Sequence, residues 1–272
     1  MAALAEMTVS SCPMRHEETS AEADFGFRKV PEAEKAPLVR AVFDSVAGRY
    51  DLMNDLMSGG IHRWWKAEMI AWLRPRPGQV MIDIAGGTGD IARRALPRLT
   101  AGTGGGTGGG GVIVCDVNPN MLEIGRARMI DDGILAGIEF LCGDAERLPF
   151  ADRSFDLYTI AFGIRNVTRL DRALAEARRV LKPGGRFLCL EFTPAVTPVL
   201  QPLYDFYSFR ILPLLGEIVA RDREAYAYLA ESIRRFPAQG VLAEMIAEAG
   251  LDRVTYRNLT GGIAALHSAW RI

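Results

Sequence analysis

Val80-Met81-Ile82-Asp83-Ile84-Ala85-Gly86-Gly87-Thr88-Gly89-Asp90 runs from a short apolar segment into a glycine-rich turn, and a helix-compatible segment, Ile91 to Leu99, follows at once. Strand, tight glycine turn and helix is the arrangement by which α/β proteins aim backbone N–H groups at a nucleotide-like cofactor. Gly87-Thr88-Gly89-Asp90-Ile91-Ala92 also fits G-x-G-x-x-A, a dinucleotide fingerprint that is weak when it stands alone.

Outward from this turn, short apolar runs alternate with amphipathic ones. The pattern predicts strands at Val80–Ala85, Val112–Val117, Ile138–Cys142, Phe155–Ala161 and Arg186–Phe192. It predicts helices at Ile91–Leu99, Asn120–Asp132 and Leu170–Leu181. Such alternation builds a parallel sheet with helices on both faces and right-handed crossovers. Before it, Leu38, Val42, Phe43 and Val46 recur at helical spacing, and a tryptophan-bearing helix runs from Ile61 to Leu73. After it come helix-like stretches at Arg221–Ile233 and Val241–Ala249, then a final pair of strands, Arg253–Leu259 and Gly262–Ile272.

Charge then separates the cofactors. A dinucleotide would set its pyrophosphate beside Asp90, a group of the same sign. S-adenosylmethionine has no phosphate; it carries an amino group and a sulfonium, and carboxylates favour both. Two further acids fall at strand ends. Asp116 closes the second strand of the series, where a carboxylate accepts ribose hydroxyls, and Asp144 closes the third, where an adenine edge would lie. Any one of them alone reads as a solvated turn residue. Three on one rim of a sheet read as a cofactor site.

Composition bounds the rest. The chain has 272 residues, 49% apolar and 24% charged, which suits one elaborated globular domain. A net charge of −1 gives no bulk attraction to nucleic acid. No apolar run is long enough to span a bilayer, and the first residues resemble neither a secretory signal nor a transit peptide. Of the four cysteines, Cys115, Cys142 and Cys189 sit in predicted strands and read as buried small hydrophobes of a reducing compartment. His16, His62 and His267 have no ligand-like spacing, so no metal is expected. Residues 1–36 are polar and mixed and are expected to form a disordered tail. The tract 101–111 is almost all glycine and threonine; it lacks the Lys-Ser/Thr of a phosphate loop and reads as a flexible linker.

The remaining motifs point to one family. Tyr50 to Trp65, including Met57-Ser58-Gly59-Gly60-Ile61-His62-Arg63, resembles the N-terminal signature of the quinone-biosynthesis C-methyltransferases, the demethylmenaquinone and 2-polyprenyl-6-methoxy-1,4-benzoquinol methyltransferases. Arg179 to Phe192 resembles their second signature, with Thr193 where the family usually has Ser. Phe162-Gly163-Ile164-Arg165-Asn166-Val167, Tyr228 to Ile233 and Asn258 to His267 are similar to it as well. Asp83–Gly89 resembles the first motif of the class I methyltransferases, with Ala85 where the first glycine often stands. The resemblance spans Pro37 to Ile272. It implies an α/β fold of the class I S-adenosylmethionine-dependent methyltransferase type: Rossmann-like, with a mostly parallel seven-stranded sheet and helices on both faces. Within 37–272, residues 37–75 would form an N-terminal helical cap and 193–235 a substrate lid.

The activity implied is methylation of a ring carbon of a polyprenylated benzoquinol, a demethylmenaquinol or both. An aromatic carbon needs a deprotonated or strongly hydrogen-bonded neighbouring hydroxyl before it attacks. Arg165 and Asn166 are the catalytic candidates. Arginine stays protonated, so it would stabilise a phenolate or orient water; equally, it could pair with a carboxylate and lock the loop. Cofactor candidates are Gly86, Gly87, Thr88, Gly89, Asp116, Asp144, Ala145 and Ala161. Substrate candidates are Tyr50, His62, Tyr204 and Tyr207, with the aromatic segment around Tyr204 serving as an apolar channel for the prenyl tail or as lid packing. The expected partners are a polyprenylated quinol and the membrane surface, with assembly as a homodimer or in a quinone-synthesis complex and no nucleic acid. The expected location is the cytoplasm, peripheral at the inner face of the membrane. A nicotinamide oxidoreductase on a similar sheet, or a non-catalytic scaffold, are the competing readings.

Overall fold

A computed structural model describes residues 21–46, 55, 58–101, 110–194, 197–199, 201–211, 214, 217 and 223–272. A seven-stranded sheet organises them. Its strands are β3 (Val80–Ile84), β4 (Gly111–Asp116), β5 (Ile138–Cys142), β6 (Phe155–Ala161), β7 (Leu181–Phe192), β8 (Asp252–Leu259) and β9 (Ala264–Trp270), in the order β5-β4-β3-β6-β7-β9-β8. The first five are parallel to one another, and β9 runs antiparallel to both β7 and β8. The chain steps outward from β3 to β4 and β5, then returns to the other side of β3 as β6. That reversal opens a crevice between the carboxyl ends of β3 and β6, where sheets of this kind hold ligands.

The central strands are buried on both faces. Met81, Ile82 and Ile84 of β3 and Phe187, Leu188, Cys189 and Leu190 of β7 are all at most 1% exposed, as expected for parallel strands covered by helices. One layer of helices comprises α2 (His62–Leu73) and α3 (Asp90–Leu99), with α4 (Pro119–Asp131) beyond them. The other side carries α5 (Leu170–Val180) and α8 (Gln239–Glu248). Asn118 caps α4 by accepting the N–H groups of Asn120 and Met121, and Pro119 opens the helix where a missing N–H costs nothing. β7 starts at Leu181 rather than Arg186, because Leu181 pairs with Phe155 ahead of the apolar run.

The expected tail ends before residue 36. Glu22–Phe25 (β1) and Arg28–Pro31 (β2) form an antiparallel hairpin, and α1 (Glu32–Val46) begins directly after it, with Pro37 inside the helix. Each strand has four residues, too few to be stable alone. A distant contact orders them: Phe25 stacks on Tyr228 of α7 (Arg223–Arg235) with ring centroids 4.3 Å apart. Residues 1–20 and the interior of the glycine tract, 102–109, lie outside the described residues.

Candidate active site

The turn after β3 makes a cradle that only glycine fits. A Cβ on Gly86 would stand 2.7 Å from Val114 Cγ1, 2.8 Å from Asp83 Oδ2 and 2.9 Å from the Asp83 carbonyl. Ala85, one residue earlier, adopts φ +48°, a left-handed conformation that an L side chain holds at a cost. Gly163, in the loop after β6, makes room for its methyl. A Cβ on Gly163 would lie 2.3 Å from Ala85 Cβ. Gly163 itself has φ −120°, so alanine there is a purely steric change. Gly163→Ala is expected to destabilise the fold by about 1–3 kcal/mol through overpacking, read as a lower denaturant midpoint at unchanged slope.

Asp83 is the most unusual group in this cradle. It is 1% exposed, and Thr159, its register partner on β6, donates to Oδ1 at 2.7 Å. Its other oxygen, Oδ2, is buried and has no hydrogen-bond partner. Burial pushes the carboxyl up to about 7, opposed by the Thr159 hydroxyl and the Lys66 ammonium. A cavity of about 20 Å³ lies against it, lined also by Lys66, Ala85, Gly86, Asp90 and Ala161. A buried, unpartnered carboxylate oxygen is costly unless a ligand donates to it. An ammonium is such a donor; a pyrophosphate is not.

The charge of Asp90 reads differently in three dimensions. Lys66 Nζ lies 2.9 Å from Oδ2 and Arg94 Nε 2.9 Å from Oδ1. Burial opposes ionisation, but these two cations outweigh it and hold the carboxyl at about 2. Asp90 is thus compensated, and the preference for a cationic donor rests on Asp83 and Asp116 instead. Lys66 was missed in the sequence. Its signal was position: His62, Lys66, Ile70 and Leu73 lie on the buried side of α2, where a lysine needs a partner.

Asp116 closes β4 and accepts the Gly87 N–H at 2.9 Å and the Asn118 N–H at 2.8 Å. Burial pushes it up to about 6, opposed by those two N–H groups. Thr88 is buried, and its Oγ1 accepts from Arg128 at 3.3 Å. Gly89 caps the helix start at φ +80°. Ala161 ends β6 beside the cavity. After β5, Ala145 is buried, while Asp144 is exposed and accepts the Glu146 N–H at 2.9 Å, as a turn residue does. Helix α1 lies across these strand ends. Its Lys35 donates to the Val167 carbonyl at 2.8 Å, Arg40 donates to the Val117 carbonyl at 3.0 Å, and Asp44 accepts from Asn118 at 2.8 Å. One helix therefore ties the loop after β6 to the loop after β4.

The acceptor candidates are more dispersed. Arg165 is buried and pairs with Glu191 Oε1 at 2.7 Å; it also donates to the Phe162 carbonyl at 2.7 Å and to Ser232 Oγ at 3.3 Å. Burial raises the Glu191 carboxyl and Arg165 opposes the rise. Asn166 Oδ1 accepts from the Tyr228 hydroxyl at 3.0 Å, which leaves its amide N–H groups to donate. Both Glu191 and Tyr228 lie in the quoted family motifs but were given no site role from the sequence, although an acid inside the apolar run Leu188–Phe192 was a visible signal. His62 is 3% exposed, 2.9 Å from Asp55 Oδ1, and held below its ordinary pKa by burial and by Lys66. Tyr204 is buried under Arg234, and burial pushes its phenol up to about 12. Tyr207 is half-buried against the core, and burial raises its phenol too. Tyr50 lies outside the described residues.

Comparison with known proteins follows the same line. The chain matches the ubiE/COQ5 methyltransferase family over residues 28–271. It is 57% identical over 251 residues to the protein named ubiquinone/menaquinone biosynthesis C-methyltransferase UbiE of Paracoccus denitrificans, covering 92% of this chain and 97% of that one. The protein of the same name from Acidiphilium cryptum is 56% identical over 256 residues, covering 94% and 99%. Among solved structures, a SAM-dependent methyltransferase from Thermotoga maritima superposes with TM-score 0.58 at 19% identity, covering 85% of this chain and 99% of that one. One from Aquifex aeolicus superposes at 0.54 with 14% identity, covering 76% and 89%; both likenesses concern the fold.

Proposed function

The chain belongs to the ubiE/COQ5 methyltransferase family, and from that premise we propose that it moves a methyl group from S-adenosylmethionine to a ring carbon of a polyprenylated benzoquinol, a demethylmenaquinol or both. It is an S-adenosylmethionine-dependent C-methyltransferase of quinone biosynthesis. The observation that carries the donor assignment is Asp83 Oδ2, buried and without a partner at the edge of the cavity beside Gly86.

In this reading Asp83 would take the donor's ammonium, and Lys66, which also contacts Asp90, would take its carboxylate. Asp116 accepts the ribose hydroxyls, Gly86–Gly89 allow close approach, and Asp144 and Ala145 border the adenine. When bound, the donor would supply an electrophilic methyl; its S–CH3 bond breaks as the ring carbon takes the methyl, and that carbon's proton leaves to water as aromaticity returns. The residues supply position and charge. Asn166 donates its amide N–H groups to a quinol oxygen. Arg165 places a fixed positive charge near that oxygen and favours its phenolate form. Tyr228 holds Asn166, and Glu191 and Ser232 hold Arg165, so the loop is preorganised. Tyr204 and Tyr207 border the prenyl tail, and His62 approaches from the helical cap.

Calorimetric titration with S-adenosylmethionine and with NAD tests the donor, and transfer of label from the donor to demethylmenaquinol or to a benzoquinol tests the acceptor. Binding of NAD alone supports the oxidoreductase reading; donor binding without transfer to either quinol supports the scaffold. Donor affinity is also expected to depend on pH. An ammonium pairs with ionised Asp83, so affinity should fall about tenfold per pH unit below about pH 7 and level off above it. Asp83→Asn should weaken binding and remove that dependence. In the ligand-free protein the sign is opposite: a folded-state value above the unfolded one stabilises the fold at low pH, and that stability is lost as pH rises through about 7.

We read the chain further as a peripheral membrane protein of the cytoplasmic side, acting as a homodimer or within a quinone-synthesis complex. Among the described residues no helix is long and apolar enough to cross a membrane, whereas a polyprenylated acceptor resides in one.

A further inference from the structure

Three large aromatic side chains stand exposed on the hairpin tip and on the helical segment it meets. Phe27, Phe206 and Phe209 are 49%, 58% and 40% exposed. Phe27 sits at the tip of the β1–β2 hairpin, and its ring stacks on Phe209 with centroids 6.2 Å apart. Phe206 lies about one turn before Phe209, where α6 (Gln201–Phe206) passes into the wider turn Tyr207–Ile211. Arginines accompany them. Arg28 follows Phe27, Arg210 follows Phe209, and the Arg235 guanidinium lies 5.8 Å from the Phe27 ring centre. All three arginines are exposed, and none has a carboxylate partner among the described residues. The nearby acids are already engaged. Glu231 accepts the Phe27 N–H at 3.0 Å, and Asp205 binds Arg234 and accepts from Gln201.

The inward side of the same elements holds the acceptor loop. Phe25 of the hairpin stacks on Tyr228, which donates to Asn166, and Ser232 of α7 accepts from Arg165. The hairpin and α7 therefore contact both the aromatic surface and the Arg165–Asn166 loop.

We propose that Phe27, Phe206 and Phe209, with Arg28, Arg210 and Arg235, form the surface by which this chain docks on an anionic phospholipid bilayer. Aromatic rings settle at the headgroup level, and uncompensated arginines are drawn to anionic lipid. A second copy of the chain fits this surface poorly, because a two-fold contact would set each arginine cluster against its own copy. The inference rests on the reading of a polyprenylated acceptor and deepens it. Docking here brings the acceptor loop to the headgroups, so an apolar tail enters the site without crossing water.

Flotation of the full chain with vesicles tests this. The wild-type chain should float with vesicles of phosphatidylcholine and phosphatidylglycerol, much less with phosphatidylcholine alone, and less at high salt. Phe27→Ala with Phe209→Ala should lower partition about tenfold. Glutamine at Arg28, Arg210 or Arg235 should lower it about fivefold each. A Phe27→Trp variant should show a blue-shifted emission on adding the anionic vesicles, a readout that keeps the backbone and ring in place. Donor titration of each variant establishes that it is folded. Variants that float like the wild type, or a wild-type chain that floats with neither vesicle, would overturn the proposal. So would variants that dissociate a dimer in sedimentation while their flotation is unchanged. Methyl transfer to a short-tailed quinol without vesicles reads the acceptor assignment separately: its absence in the wild-type chain sinks that reading, and flotation still judges the surface.

Discussion

Arg165→Met is expected to lower the unfolding free energy by about 3–5 kcal/mol and to remove most methyl transfer. The Arg165 and Glu191 side chains are only 2% and 1% exposed, 2.7 Å apart. Removing the guanidinium leaves a carboxylate with no cation in a dry site, and the Phe162 carbonyl and Ser232 hydroxyl lose a donor as well. Glu191 would then favour its protonated form more strongly, so its folded-state pKa rises further above the unfolded value. Such a shift stabilises the fold at acidic pH and is lost as pH rises. The variant should therefore tolerate more urea at pH 5 than at pH 8. Arg165→Met with Glu191→Leu removes both charges and should recover much of the stability, because a buried ion pair is seldom better than good apolar packing. Transfer separates the two roles of Arg165. A stable double variant that binds donor normally but has a low kcat places the guanidinium beside the developing phenolate. Normal turnover in that variant would make Arg165 a structural clamp only.

Asp116→Ala is expected to weaken S-adenosylmethionine binding about a hundredfold. A carboxylate accepting two ribose hydroxyls makes two charge-assisted hydrogen bonds, each worth roughly 1.5 kcal/mol or more. The position is prepared for this. Gly87 and Asn118 donate their backbone N–H groups to Asp116 at 2.9 and 2.8 Å and fix both oxygens. Asp116→Asn keeps an acceptor on the same carbon and should lose less. Calorimetry reads both constants directly, and an unchanged affinity in the alanine variant would refute the ribose assignment. A loss of the same size in denaturant resistance would instead assign Asp116 to holding the turn.

Periodicity alone located the strands and helices of the sheet, because each is buried along a stripe or a run that the sequence displays. The hairpin at Glu22–Pro31 escaped it. Its two strands are short, and Phe25 becomes meaningful only against Tyr228, a residue in α7. The residues expected at the cofactor rim lie together for a related reason: glycines and acids at strand ends are local signals, and the sheet brings all strand ends of one kind to the same edge. The acceptor side was legible only in outline. Arg165 could be read from the sequence as a phenolate partner or as a clamp, and the chain by itself could not choose.

What the sequence determined was the strand–turn–helix at Asp83–Asp90, the alternation that builds the sheet, and the family, since each depends on neighbours along the chain. Tertiary structure decided the charges. Asp90 is neutralised by Lys66, 24 residues away, and Arg165 is claimed by Glu191, 26 residues away. Asp83 alone keeps an unpartnered oxygen among the acids of the cavity. Electrostatic energy depends on separation and burial, and both are set by how elements pack, not by their order in the chain. The turn that identifies the cofactor is written locally; the charge it presents to that cofactor is not.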